Sequence, residues 1–407
     1  MTRIGITKAQ IVDVARGRLL PEASLVIENG QIKEIREGAL GDLYPQLDAK
    51  GLYVAPGLID GHVHFVFDCG ADPRQGFLDS TEETLWETGR RNARAAIEAG
   101  ITTARDCGAP VPWIFELQRQ IDSGGIAGPH LLACGCPLTR PTGHLHFFGG
   151  EVSNRQEVRS LIERLAAQGA SFAKLIASGG GLTPGTRPSE AELSLDLMRE
   201  AVKTARVLGL RTAAHCHAIE AISRCLDVGM DFIEHASFTT LRGGHFFDEK
   251  IAYRMRDQGT IICPTVIGAL RTAQRFKQSK RPHNAEDTAT VPRLEARQSN
   301  LAGFHHLHLP LLGGTDCGIT DTPFNSLVDE LLLYQEAGMS CAQALRTVTS
   351  ESARYLRLPR TGEIRVDYAA DLILLDGNPL EDLNCLRQPV AVLKAGQVMI
   401  QRCTTVR

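Results

Sequence analysis

No stretch of the chain stays apolar over the ~18 residues a membrane-spanning helix requires. The opening run MTRIGITKAQIVDV also lacks the basic segment and long apolar core of a secretory signal. A soluble, cytoplasmic protein is therefore expected. A net charge of −3 leaves no polybasic footprint for nucleic acid, and 43% hydrophobic against 22% charged residues does not suit a disordered chain. No low-complexity segment or tandem repeat is present. The 11 cysteines are odd in number and have no repeating spacing, which fits reduced, buried thiols better than a disulfide framework. Cys134 and Cys136 are too close for a structural zinc knuckle. A small-molecule partner is the expectation that remains.

The length, 407 residues, suits a barrel of about 250 residues plus a smaller unit. Both ends read as short strands. SLVIENGQIKEI is two β-rich runs joined by Asn29-Gly30, a strong hairpin signal, and AADLILLDG and AVLKAGQVMI repeat the style near the other end. One β-sandwich assembled from both termini, 1–56 and 358–407, is the economical reading. Between them, in 57–357, eight β-rich or apolar runs alternate with helical patterns: 57–65, 102–108, 129–135, 172–179, 211–217, 232–237, 260–266 and 309–316. In 154–169, Val158, Leu161, Ile162 and Leu165 follow helix spacing and Gly169 stands as the stop. Eight strand–helix units predict an α/β protein built on a parallel (β/α)8 TIM barrel. The polar run 271–300 reads as a solvated helix or mobile excursion rather than a binding element.

In a strand, residues i and i+2 point the same way, so His62 and His64 of GHVHF can close on one metal ion. Alone, this pair is weak. Its weight comes from Lys174, His215, His235 and Asp316, which also fall at C-terminal ends of predicted strands, where barrel active sites are built. Lys174 is the unusual member, since an ammonium cannot ligate a cation and its burial is costly. If deprotonated, it can add carbon dioxide, and the carbamate's two oxygens can bridge metals about 3.5–4 Å apart. Otherwise it pairs with an acidic neighbour or snorkels outward.

The runs PGLIDGHVH, FAKLIASGGGLTPGT, AAHCHA, FIEHASF, GGTDCG and AADLILLDGNPLEDL together resemble the amidohydrolase superfamily, most closely its imidazolonepropionase-like and prolidase-like branch. The resemblance covers nearly the whole chain. It implies a barrel with a split β-sandwich, a more buried metal on His62 and His64, a more exposed one on His215 and His235, carboxylated Lys174 bridging both, and Asp316 on the first. Two Zn²⁺ per chain fit the His-rich set. They would share a hydroxide nucleophile whose proton Asp316 takes and passes to the leaving amine. A homo-oligomer is also implied.

Other candidates surround this set. His144, in RPTGHLHFF, is expected to contact an oxyanion or a substrate carboxylate, with exposure to water the alternative for it and for His146. His217 is open between a substrate contact and a supporting hydrogen bond. Gly179-Gly180-Gly181 lacks a P-loop's Lys-Ser/Thr ending and reads as a turn that lets its loop approach the metals. His305, His306 and His308 end a helix at the wrong end of the barrel. Arg140, Arg187 and Arg242 are loop residues that could clamp a carboxylate or be solvated. The leading expectation is hydrolysis of a C–N amide bond in a dipeptide or N-acyl amino acid. A deaminase is disfavoured because Ala218 stands where such enzymes of this superfamily place a Glu, and Glu220 is displaced. Hydrolysis of a lactone or cyclic amide stays open, and a non-catalytic scaffold is disfavoured by the complete ligand set.

Overall fold

The computed structural model describes residues 3–38, 40–41, 44–278 and 289–402. The N-terminal strands are β1 (Arg3–Asp13), β2 (Arg18–Leu19), β3 (Ala23–Glu28), β4 (Gln31–Arg36), β5 (Gln46–Asp48) and β6 (Tyr53–Pro56). β3 and β4 pair antiparallel with Glu28 opposite Gln31, so Asn29-Gly30 is a two-residue turn. Both residues have positive φ, +49° and +79°, as the turn that matches strand twist requires.

The barrel strands follow: β7 (Leu58–Val63), β8 (Ile101–Asp106), β9 (His130–Ala133), β10 (Phe172–Ile176), β11 (Arg211–Ala218), β12 (Phe232–Thr239) and β13 (Ile261–Cys263). They form two parallel arcs, β7-β8-β9 and β10-β11-β12-β13. At one seam Leu138 donates its N–H to the Lys174 carbonyl and accepts from Ile176, both at 2.8 Å. At the other, the expected eighth strand, 309–316, is extended chain rather than a regular strand. Leu312 N–H reaches the Ile262 carbonyl at 2.9 Å, and Asp316 N–H reaches the His62 carbonyl at 2.7 Å. Its irregularity has a local cause. A Cβ on Gly313 would meet Val348 at 2.3 Å, one on Gly314 would meet the Cys263 sulfur at 2.6 Å, and Asp316 itself sits at φ +63°.

After the barrel, β14 (Leu372–Leu375), β15 (Ala391–Lys394) and β16 (Gln397–Gln401) complete a nine-stranded sheet in the order β16-β15-β14-β6-β1-β3-β4, with β2 and β5 also on β1. The antiparallel pairing of β14 with β6 joins the two ends of the chain, and Ile6, Leu25, Ile27, Val54, Leu372 and Leu393 share its separate core. The protein is thus a TIM barrel carrying a β-sandwich made from both termini.

Helix Arg155–Ala167 follows its sequence pattern: Asn154 caps it by accepting from Glu157 N–H, and Val158, Leu161, Ile162 and Leu165 are buried. The run 271–300 departs from expectation. Its segment 279–288 lies outside the described residues. The rest belongs to helices Ile267–Gln278 and Thr290–His306, and the second carries Arg297 and Asn300 to the barrel mouth. Inside the barrel, Phe172, Ala213, Phe232, Ile261 and Leu312 form an apolar floor. Two residues further along three of these strands stand Lys174, His215 and Glu234, all buried, so strand alternation lifts the polar groups into one layer above the floor. Among the described residues no helix is long and apolar enough to cross a membrane.

Candidate metal centre and active site

His62 and His64 project from the end of β7 with ring centroids 5.4 Å apart. Each places Nε2 3.3 Å from Oδ1 of Asp316. Behind them, His62 Nδ1 lies 2.9 Å from Glu234 Oε2 and His64 Nδ1 lies 2.8 Å from the Gly108 carbonyl. Across the mouth, His215 Nδ1 and His235 Nε2 face each other at 3.0 Å. Their far nitrogens sit 3.3 Å from the Gly179 carbonyl and 2.6 Å from Thr265 Oγ1. All four imidazoles therefore have one nitrogen anchored and one turned inward, the way outer partners fix the tautomer of a metal-binding histidine. Burial, then the neighbouring histidines, push His215 and His235 well below the usual histidine range. They stay neutral, the form that ligates.

Lys174 Nζ is buried without a hydrogen-bond partner. Glu234 Oε1, at 3.7 Å, pairs with it only loosely. Its charge acts on both His62 and His215, so it lies within electrostatic reach of both histidine pairs. An orphaned ammonium among inward-facing imidazoles and a carboxylate is a poor match for an empty polar pocket and a good one for bound divalent cations. Among the described residues, two groups of possible ligand atoms within 4.8 Å of one another, His62/His235/Asp316 and His215/His217/His235, fall in this space. A third, His62/Cys107/Glu234, lies behind His62.

That rear group was not legible in the sequence. Glu234, with no exposed surface, bonds His62 and Arg105, whose Nη2 is 2.5 Å from Oε1, and has Lys174 3.7 Å away. Burial penalises its charge, but these cations, Arg105 first, hold its carboxyl well below the usual carboxylate range. Arg105 also donates Nε–H to the Gly61 carbonyl at 2.7 Å and lies over the rings of Phe172 and Phe232.

His144 is buried with its ring 4.6 Å from that of His215, and its Nδ1 has no partner. Burial pushes its pKa down to about 3. The triple-glycine run is what allows this approach: a Cβ on Gly180 would lie 2.5 Å from His144 Nε2. His146 turns elsewhere, its Nδ1 3.0 Å from the Gly143 carbonyl. His217 bonds Ser237 Oγ at 2.7 Å and stacks on His235. Arg140 is engaged by Glu192 at 3.0 Å, Arg187 pairs with Glu190 at 3.4 Å, and Arg242 is exposed. His305, His306, His308, Cys134 and Cys136 belong to none of the three ligand groups found among the described residues. Glu220, the displaced acid of the deaminase alternative, pairs with Arg224 on an exposed helix face.

Residues 53–399 match the amidohydrolase family. The chain is 26% identical over 370 residues to ochratoxinase of Aspergillus niger, an alignment covering 83% of this chain and 73% of that protein. A Xaa-Pro dipeptidase with bound methionine has a similar structure, with TM-score 0.88, 24% identity, and 98% and 99% of the two chains covered. A putative prolidase from Bifidobacterium longum has TM-score 0.80, 28% identity, and coverage of 98% and 94%. Because the match runs from β6 through the whole barrel into β16, the chain belongs to the amidohydrolase family, and its reaction is metal-dependent hydrolysis of a carbon–nitrogen bond in a small molecule.

Proposed function

We propose that the protein is a binuclear zinc hydrolase that cleaves the amide bond of dipeptides or N-acyl amino acids. One observation carries the reading: four anchored imidazoles turn their free nitrogens toward Asp316 and toward each other, with an unpartnered Lys174 between them. His62, His64 and Asp316 would hold one Zn²⁺, His215 and His235 the other, with Lys174 joining them as its carbamate. The imidazole-rich donor set favours zinc. The preference for dipeptides follows from the likeness to a Xaa-Pro dipeptidase and a putative prolidase.

When bound, the two cations would polarise the substrate carbonyl and activate a water. The side chains do the remainder. Asp316 accepts the proton of the attacking water and returns it to the departing nitrogen, which cannot leave as an amide anion. His144, kept neutral by burial, offers an N–H to the oxyanion. His217, held by Ser237, walls the pocket beside His235. Cytoplasmic residence fits the ten cysteines in the described residues, all of them unpaired. Homo-oligomerisation is expected from the resemblance, and light scattering decides it.

The test is amine release by zinc-loaded protein from a library of dipeptides and N-acyl amino acids, with Asp316→Asn as control, beside metal analysis and ¹³C NMR in labelled bicarbonate. The reading expects turnover that vanishes in the variant, about two zinc ions per chain, and a carbamate carbon signal lost in Lys174→Arg. One ion per chain and no carbamate would overturn the binuclear centre. Two ions without cleavage of any library member would overturn the substrate.

A further inference from the structure

Helix Thr290–His306 docks one face onto the mouth through residues spaced three and four apart. Asn300 donates to the Ser237 carbonyl at 3.1 Å. One turn earlier, Arg297 Nη2 donates to the Pro264 carbonyl at 2.8 Å and to Thr265 Oγ1 at 3.1 Å. Thr265 is the residue that anchors His235, at 2.6 Å. Arg297 thus sits one side chain away from a candidate metal ligand.

Among the described residues no carboxylate bonds Arg297. Arg297 Nε is buried with no partner. The carboxylates whose fields reach it are Glu330 and Asp316. Both are occupied: Glu330 accepts from Val266 N–H at 3.0 Å and Ile267 N–H at 2.6 Å, and Asp316 faces His62 and His64. Arg293, one turn away and half-buried, adds a second cation, and both arginines act on His217 and His245. Burial holds the Arg297 pKa down to about 10, with Arg293 lowering it further. Two guanidiniums beside a reaction centre with no free carboxylate among the described residues call for an anion from outside.

We propose that Arg297, assisted by Arg293, binds a carboxylate carried on the leaving side of the substrate, so that the enzyme selects amides of amino acids with a free carboxyl group and handles neutral amides poorly. The proposal rests on the amide-hydrolase reading for which bond is cut. In an N-acyl amino acid the amide carbon and carboxyl carbon lie roughly 3.5 Å apart, and a charge-assisted hydrogen bond adds about 2.8 Å, so the guanidinium must stand close to the ligand layer. Arg297 Nη2 and His235 Nδ1 share Thr265 Oγ1, at 3.1 and 2.6 Å. Of the arginines singled out in the sequence, Arg140 and Arg187 are already paired and Arg242 is exposed.

The test uses zinc-loaded full-length protein and two readouts. Binding is measured calorimetrically with 4-phenylbutanoate, an uncleavable isostere of N-benzoylglycine, against 4-phenylbutanol. Kinetics compare each cleaved substrate with its carboxamide. The native protein should prefer the acid in both. Arg297→Met should weaken acid binding about 10- to 100-fold, leave the alcohol unchanged and raise KM rather than lower kcat, with Arg297→Lys intermediate. Equal binding of acid and alcohol by native protein would overturn the proposal. So would an Arg297→Met protein that loses zinc and both activities alike, because Arg297 would then be a support for Thr265 and His235. Acid-selective binding without turnover of any amide would uphold the carboxylate site while removing the amide-hydrolase reading.

Discussion

The buried pair of Arg105 and Glu234 allows the sharpest energetic prediction. Glu234→Gln keeps the shape of the side chain and removes the charge. Arg105, with almost no exposed surface, would then face only neutral partners: the amide oxygen of the substituted side chain, the Gly61 carbonyl at 2.7 Å, and the rings of Phe172 and Phe232, 4.9 and 4.6 Å from its guanidinium carbon. Breaking a buried pair from one side costs about 3–5 kcal/mol, because the remaining charge stays desolvated. The two rings stabilise a desolvated guanidinium by roughly 1–2 kcal/mol, so a net loss of about 3 kcal/mol is expected. Arg105→Met alone should cost a similar amount, since it leaves Glu234 to His62 and a lysine 3.7 Å away. The double variant should lose less than the sum, with a coupling of about 2 kcal/mol or more. Urea denaturation in excess chelator, followed by fluorescence and circular dichroism together, separates this from metal binding. A loss under about 1 kcal/mol for Glu234→Gln, or strictly additive variants, would refute the reasoning. Zinc titration of the same variant supplies a second reading: His62 Nδ1 and Arg105 must share one neutral amide in place of a carboxylate that orients both, and affinity should fall about 10- to 100-fold.

Two further perturbations probe the walls of the site. Gly180→Ala sets a methyl 2.5 Å from His144 Nε2, so His144 must shift; kcat should fall about 10- to 100-fold with little change in melting temperature, and an unchanged kcat would remove His144 from the reaction. Glu330 is buried, and burial pushes its carboxyl up to about 7 from 4.5. The folded protein therefore retains a proton that the unfolded chain has released. Stability from this group is complete below about 4.5 and is lost as pH rises through 7. Relative to Glu330→Gln, the native protein should lose about 2.5 kcal/mol between pH 5 and 8.5 in denaturant titrations. A pH-independent difference would show that the two backbone N–H donors keep Glu330 ionised throughout.

Much of the architecture was legible because local rules and tertiary structure agree. The Asn29-Gly30 turn, the 154–169 helix with its Asn154 cap, and seven of the eight barrel strands obey period and punctuation directly. The run LPLLGGTD marks the eighth, but its crowded glycine pair keeps it from becoming a regular strand. Arg297 is hidden in the sequence for a different reason. The pattern of 271–300 is polar, as a solvated helix would be, and only the docking of Thr290–His306 onto Ser237 and Thr265 shows that one of its faces is not solvated.

The case of Glu234 shows where alternation stops being a guide. In a regular strand Glu234 and His235 would point to opposite sides, so choosing His235 as a ligand assigns its neighbour to the outside of the barrel. Yet Glu234 reaches inward to His62 and Arg105, while His235 reaches the mouth to meet His215. Both are possible because the backbone leaves the strand conformation at His235, φ +67°, and stays irregular at Ala236 and Phe238, +44° and +51°. Asp316, at +63°, is turned inward the same way. Non-glycine residues at positive φ cost on the order of 1–3 kcal/mol each and persist where surrounding contacts over-determine them. Here those contacts are Thr265 on His235 and the His62 carbonyl on the Asp316 N–H. The strain thus falls on two of the six residues expected to hold metal, where a side chain must leave the strand's own direction to face a common centre. A sequence pattern built on regular strands can find such residues by their type and position, but not the companions that the same distortion brings in beside them.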